Sequence, residues 1–476
     1  MPLALALDLG TTSLGAVALD PAGEVRARVQ RPNPAHRKGL PSGHAEQDPA
    51  LLLQAAIEAL QALAGQIEGE PAALGLTGQM HGVLLSGPDN EPLTPLISWQ
   101  DRRANEPAGE GESYLTQVLE RCPPDALAPL GCRPAPGFGG VTLYVLSQRN
   151  ELPRGEWRAV TVGDWIGAKL TASPPRIDPS HAAALALYDV PAGRWSEAML
   201  AAAGIDASRL PEIAASGSVL GGLAAPMASA TGLPAGLPVL TAIGDNQAAV
   251  LGSLPAGERA VQINIGTGGQ VNLPIDRFVR AEGMDTRPLP VGRLMLTGAG
   301  VCGGDAYAWV ERAVRGWLAA FGQDLEPAAV YARLSELAAA APADNGGLRC
   351  RPEFRGTRRQ PMARGRFEGV EFDNFTPGHV ARAVLDGIAA GLHELFASAA
   401  GVAPPSSRIV ATGNAIRRNP LLAEILERRF GLPVWMPQEQ EEAACGAALL
   451  AGASCGMWSD LREAGSAIRQ RRASPS

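Results

Sequence analysis

The chain has 476 residues, too many for one ordinary core, and the usual domain size divides such a length into about two to four units. With 46% hydrophobic and 19% charged residues it has the composition of a globular protein and not of a disordered one, although glycine (56) and proline (40) are abundant. Forty-one basic against 48 acidic side chains leave a formal charge of −7, which argues against broad nucleic-acid binding and points to a small-molecule substrate.

No apolar run approaches the ~20 residues of a membrane span, and the N-terminus lacks the basic start of a signal peptide, so a cytoplasmic protein is expected. The six cysteines form no C-x-x-C pair and the six histidines no zinc spacing. Reduced thiols, packed mostly as small hydrophobes, and no zinc centre are expected.

In chain order, "LALALDLGTTSLGAVALD" at 3–20 predicts two buried strands around a tight turn. The turn has two readings. In one, Gly10 only permits the bend, the hydroxyls of Thr11, Thr12 and Ser13 satisfy it, and Asp8 is solvated. In the other, Gly10, Thr11 and Thr12 offer N–H and O–H donors to phosphate while Asp8 holds magnesium. "GEVRARVQRP" continues as a third, half-exposed strand with Val25, Ala27 and Val29 inward. A helix begins at Asp48 as N-cap with Pro49 behind it, buries Leu52, Ile57, Leu60 and Leu63, and stops at Gly65. The strand "AALGLTG" then runs into "QMHG", where Gln79 and His81 stand between apolar stretches; a hydrogen-bonded core histidine in a hairpin is the plain reading. "PLISWQDRR" sets Trp99, Gln100 and Asp101 at a strand end.

Proline- and glycine-rich stretches around 104–111, 123–140 and 221–238 punctuate the first half. A new series of elements opens with "LPVLTAIGD", and the lobe boundary is placed near Thr241. "GDNQAAVLG" presents Asp245, Asn246 and Gln247 where a strand gives way to a small-residue helix. Asp245 reads both as an N-cap and as a carboxylate able to accept a proton from a ligand hydroxyl. "RAVQINIGTGGQVNLPI" at 259–275 repeats the opening design, with Gly266 and Thr267 at its turn. Two such loops facing each other across a cleft could hold a nucleotide, and the echo favours the phosphate reading of Asp8.

Two motif matches fail on context. "GAGVCG" at 298–303 fits the dinucleotide fingerprint but leads into a helix to about Phe321, with no second strand bearing an acidic end. "GASCG" at 452–456 ends a helix where a nucleophile elbow must leave a strand. No P-loop signature occurs. The basic, polar end "IRQRRASPS" is expected to fray.

"DLGTTS", "GQMHG", "WQDRR", "GDNQAAVLG", "NIGTGG", "GTRRQP" and "ATGNAIRRNPLL…EEAACGAALLAG" occur in this order along nearly the whole chain, and the sequence thereby resembles the FGGY family of carbohydrate kinases. The resemblance implies an α/β fold of two ribonuclease H-like lobes of the actin, hexokinase and Hsp70 type around an ATP and sugar cleft. Residues 1–241 would form the sugar-binding lobe with the first phosphate loop, and 242–476 the lobe with the catalytic base and the nucleotide site. It implies ATP-dependent phosphorylation of a ketose's terminal hydroxyl, with ATP and magnesium as cofactors, Asp245 as base and Asp8 serving the metal mainly through water. Gln79, Met80, His81, Trp99, Asp101 and Asn246 or Gln247 would bind the sugar. Gly10, Thr11, Thr12, Gly266 and Thr267 would grip the phosphates, and Gly304, Gly413 and Ala415 match where the family lays ribose and adenine.

Within the family, "TGQMHGVLL", "SWQDRR", "GFGG" at 137–140 and "GNAIRRNPLL" most resemble sedoheptulokinase, and the small residues of "GFGG" are expected to leave the far end of the sugar pocket open. "TGQMHG" and "GDN" resemble xylulokinase as well, which keeps D-xylulose as the alternative. Glycerol kinases usually carry an arginine–glutamate pair where Gln79 and Met80 fall, so glycerol is disfavoured. Thr357 departs from the glutamate of the family's G-E-R-x-x-P stretch. A non-catalytic nucleotide-binding scaffold of the actin and Hsp70 kind is the alternative from another class; it has no need for "GQMHG" or Asp245. The partners expected are a small-molecule ketose and, beside the monomer, a homodimer, with no nucleic acid and no membrane.

Overall fold

Strand β1 (Pro2–Leu9) sends Leu3, Leu5, Leu7 and Leu9 to one face of its sheet and Ala4, Ala6 and Asp8 to the other, because successive side chains of a strand alternate. The leucine face packs on helix α1 (Pro49–Ala64) through Leu52, Ala56, Leu60 and Leu63. Asp48 caps that helix at the N–H of Ala50 and Gly65 follows its last turn, as the sequence predicts. The alanine face admits a closer neighbour. The alanine helix (Glu442–Ser454), from the far end of the chain, lies against it with Ala444, Ala447, Ala448 and Ala451 in the shared core. Gly75 makes that approach feasible, since a Cβ there would stand 2.2 Å from the Ala447 carbonyl oxygen.

The computed structural model describes residues 1–109, 111–354, 356 and 362–473; Thr357, with most of "GTRRQP", and the last three residues lie outside them. Strand β1 pairs antiparallel with β2 (Ser13–Leu19), which pairs antiparallel with β3 (Val25–Pro32). On its other edge β1 runs parallel to Glu70–Gly78, and Val219–Gly222, Pro238–Leu240 and Ile243–Gly244 complete a seven-stranded sheet. The second seven-stranded sheet follows the same plan. Val261–Ile265 pairs antiparallel with Gly268–Ile275, that strand with Arg293–Cys302, and Ile409–Thr412 runs parallel beside the first. The echo visible in the sequence is therefore a repeated strand plan in a two-lobed α/β structure.

The stretch after Gly78 is not a hairpin: Leu84–Ser86 pairs with Arg158–Val160. The C-terminal tail also departs from expectation, since Gln470–Arg472 adds to the second sheet beside Val434–Pro437. Backbone pairing orders this segment although its side chains are polar. Among the described residues no helix is long and apolar enough to cross a membrane. All six cysteines are free thiols, four of them buried.

The helix that begins at Asp245 (Asp245–Ser253) crosses the alanine helix at contact distance. A Cβ on Gly252 would stand 1.9 Å from the Glu442 carbonyl oxygen, and one on Gly446 1.9 Å from that of Ala248. Two glycines thus let the backbones touch and fix the start of the Asp245 helix relative to β1.

Candidate active site

The first loop leaves β1 at Asp8. Asn33 holds its shape, donating from Nδ2 to the Gly10 carbonyl (3.0 Å) and from its backbone N–H to that of Thr12 (2.9 Å). The Thr11 hydroxyl receives the Trp99 indole N–H (2.9 Å) and reaches Gln79 Oε1 (3.4 Å), while Gln79 Nε2 donates to Gln47 (2.9 Å). The phosphate-loop candidates and the sugar-site candidates Gln79 and Trp99 therefore form one connected set.

The second loop is tied to the start of the helix Gly304–Ala320. The Gly266 carbonyl accepts the N–H of Gly304 (2.8 Å), and that of Thr267 accepts those of Gly303 (3.1 Å) and Asp305 (3.2 Å). A Cβ on Gly304 would lie 2.9 Å from the Gly266 oxygen and 3.3 Å from Ala415 Cβ. Gly413 adopts φ +92°, and a Cβ on it would meet the Ile265 oxygen at 2.5 Å. Gly266, Gly304, Gly413 and Ala415 thus come together, and at Gly304 and Gly413 a side chain would collide.

Asp245 is the first helical residue, and Gly244 is the N-cap, with no side-chain cap bond. The aspartate is therefore not itself the cap; its Oδ1 accepts the N–H of Asn246 (2.8 Å). Burial raises its pKa to about 6, against that hydrogen bond. Asp8 is raised well above the usual carboxylate range, first by burial, then by the charges of Asp245 and Glu441. Its Oδ1 is buried without a protein hydrogen-bond partner. A buried carboxylate with an unpaired oxygen, in the field of two further carboxylates, suits a divalent cation. Among the described residues no three such groups converge closely enough to ligate an ion directly.

Met80 and Gln247 close on the residue before Asp245: a Cβ on Gly244 would stand 2.6 Å from Gln247 Oε1 and 2.8 Å from Met80 Sδ. That Gln247 oxygen is buried with no partner, while its Nε2 donates to the Pro288 carbonyl (3.1 Å). Asn246 turns to the second sheet, exchanging hydrogen bonds with Asn272 (3.1 and 2.9 Å); Asn272 continues to Gln262 (2.7 Å) and Gln262 to Thr412 (3.0 Å). His81 has φ +73°, places Nδ1 2.8 Å from the Ala184 carbonyl oxygen and stacks on Phe138 at 4.1 Å. The two oxygens of Asp101 accept from Arg103 (2.9, 2.9 and 3.0 Å) and the Ala45 N–H (2.8 Å).

The glycines of "GFGG" do not open the pocket. A Cβ on Gly137 would lie 2.1 Å from the Trp99 oxygen, on Gly139 2.4 Å from Leu185 Cδ2 and on Gly140 2.6 Å from Leu187 Cδ2. These positions are glycine because protein packs onto them.

Sequence pattern does not single out Glu441, Asn272, Gln47 or Arg287. Asn272 carried a signal, a polar residue between Val271 and Leu273 of an apolar strand. Glu441 stands within the quoted "EEAACGAALLAG" at the head of the alanine helix. Arg287 is buried, donating to the Ala183 carbonyl (2.7 Å) and Asp285 (3.0 Å), with its guanidinium over Phe138.

Residues 3–252 match the model for the N-terminal domain of the FGGY family of carbohydrate kinases, and 262–455 that for its C-terminal domain. A glycerol kinase of Trichlorobacter lovleyi is 32% identical, over 97% of this chain and 92% of its own length. A sedoheptulokinase of Mus musculus is 29% identical, over 94% and 97%. The xylulose kinase of Rhodospirillum rubrum superposes with a TM-score of 0.87 at 24% identity, covering 99% of this chain and 93% of that one. The Plasmodium falciparum glycerol kinase with ADP gives 0.83 at 20%, covering 98% and 92%.

Proposed function

Because the chain belongs to the FGGY family of carbohydrate kinases and is an ATP-dependent phosphotransferase, we propose that it phosphorylates the terminal hydroxyl of a ketose, sedoheptulose in preference to D-xylulose, with Asp245 as base. The observation that carries this is the position of Asp245: it is in electrostatic contact with Asp8 of the first loop, and its neighbour Asn246 is bonded to Asn272 in the strand leaving the second. The sugar hydroxyl oxygen attacks the γ-phosphorus of ATP, its proton passes to the Asp245 carboxylate, and ADP leaves with the electron pair of the broken P–O bond. Gly10, Thr11, Thr12, Gly266 and Thr267 supply donors to the phosphates. Gln79, Met80, His81, Trp99 and Gln247 form the sugar side, and the unpaired Gln247 oxygen suits a hydroxyl donor. Gly304, Gly413 and Ala415 are flat enough to carry the ribose and adenine. A magnesium ion served by Asp8 neutralises phosphate charge when bound.

The heptulose preference rests on likeness to sedoheptulokinases and not on an open pocket end. A second reading, glycerol, is favoured by the 32% identical glycerol kinase; against it, the neutral Gln79 and Met80 stand where glycerol kinases usually carry an arginine–glutamate pair. The test is kcat/KM for sedoheptulose, D-xylulose and glycerol at fixed ATP, with ADP detection. Sedoheptulose is expected to lead and glycerol to trail, since buried partners left unpaired discriminate strongly. A higher value for xylulose or glycerol overturns the substrate, and ADP formation independent of any sugar overturns the base assignment.

A further inference from the structure

The segment that delivers Asp245 is held from behind by a serine and a buried carboxylate that the phosphotransfer chemistry does not use. Asp178 and Ser180 are 0% and 1% exposed. Asp178 Oδ1 accepts the Ser180 backbone N–H (2.7 Å) and the Ser180 hydroxyl (2.5 Å), and the Ser180 oxygen in turn accepts the N–H of Gly244 (2.9 Å), the residue before Asp245. We propose that Ser180, oriented by Asp178, is a positioning residue for Asp245; the proposal rests on Asp245 being the base.

The direction of the bonds follows from charge. Burial raises Asp178 to about 6, with no arginine or lysine among the influences on it. At neutral pH it is ionised and can only accept. The one proton of the Ser180 hydroxyl is then committed to the carboxylate, and its lone pairs are left for the Gly244 N–H, which the charge-assisted first bond strengthens. Gly244 needs this partner because it has no cap side chain of its own and its strand, Ile243–Gly244, has only two residues. Met80 and Gln247 pack on the same residue. A shift of the Gly244 peptide therefore moves the Asp245 carboxylate and the sugar wall by different amounts.

A plain structural role is separable. Asp178 also caps the short helix Pro179–Ala184 through the Ser180 backbone N–H, and Ser180→Ala leaves that bond in place while removing the acceptor at Gly244. The expected result for Ser180→Ala is a kcat lowered about tenfold or more, as a misplaced reacting group costs, with sugar KM changed less than about threefold. A structural loosening alone would lower Tm and raise KM with kcat retained. Asp178→Asn, which keeps an acceptor of the same shape without the charge, should fall between wild type and Ser180→Ala, and it decides by the same readout if Ser180→Ala does not fold. Wild-type kcat in the folded variant overturns the proposal. Asp245→Asn, measured alongside, separates the two ideas. If it is inactive while Ser180→Ala is fully active, only the positioning role falls; if it turns over normally, the base falls and the positioning role with it.

Discussion

A carboxylate that takes a proton from a sugar hydroxyl near neutral pH works best with a pKa not far below that pH, and burial brings Asp245 to about 6. Asp245→Asn keeps the shape and removes the base, so kcat should fall by ~10² to 10⁴ while the circular dichroism spectrum and sugar affinity stay near wild type. The protonated acid cannot accept, so wild-type kcat should decline as pH drops through about 6, which a pH–rate profile at saturating sugar and ATP would reveal. In the proposed reaction Asp8 serves the metal and not the sugar. With its unpaired oxygen serving a cation, Asp8→Ala should raise the magnesium concentration needed for half-maximal rate and leave calorimetric sugar binding unchanged; loss of sugar binding with normal magnesium dependence would remove Asp8 from the metal. The residue scale also shows how Asp101 is held. "SWQDRR" reads as a ligand stretch, and in the structure Arg103 and the Ala45 N–H hold the Asp101 carboxylate; a sequence motif does not reveal which way an arginine folds back.

Elements are set by small residues more than by large ones. β1 reads leucine, alanine, leucine, alanine, leucine, aspartate, and that alternation both builds the α1 core and clears a path for the alanine helix on the face that carries Asp8. At the crossing of the Asp245 helix and the alanine helix, backbone meets backbone at Gly252 and Gly446. Gly446→Ala should therefore destabilise the protein by about 2 to 3 kcal/mol, the cost of overpacking a close contact, and lower kcat as well because the displaced helix begins at Asp245. Urea denaturation and steady-state rates check both; a stable variant with normal kcat would show that the helices can part without consequence.

The whole molecule is two similar sheets, and one set of contacts between them lies beside His81 and Gln247, the proposed sugar side. Strand Asp285–Leu289 of the second sheet reaches the first lobe twice, the Thr286 N–H donating to Gly131 and Arg287 to Ala183, and its Pro288 carbonyl receives Gln247 of the Asp245 helix. Arg287 also lies over Phe138, the ring on which His81 stacks. Removing one member of a buried ion pair costs about 3 to 5 kcal/mol, so Arg287→Ala, which also removes the donor to the Ala183 carbonyl, should lower Tm markedly. It should raise KM for the sugar more than KM for ATP, since the disturbed contacts border His81 and Gln247 and not the second loop. Equal changes in both constants would mean that this docking strand does not support the sugar side.

The sequence by itself determined the parts that depend on neighbours along the chain. The strand–turn–strand units at Asp8 and Gly266, the capped helix from Asp48, and the strand-to-helix switch at Asp245 each follow from local alternation, turn chemistry and capping. Only the tertiary structure decided what distant segments do to one another. Glu441 joins Asp8 because the alanine helix returns from the end of the chain to the small-residue face of β1. The "GFGG" glycines are filled by Trp99, Leu185 and Leu187 instead of leaving space. The polar segment Gln470–Arg472 is ordered by a strand edge it meets at Val434–Pro437. Ser180 stands behind Gly244 across 64 residues. Whether a small or polar side chain is a gap, a contact or a ligand depends on what packs against it, and that partner is fixed by three-dimensional proximity, which residue order does not encode locally.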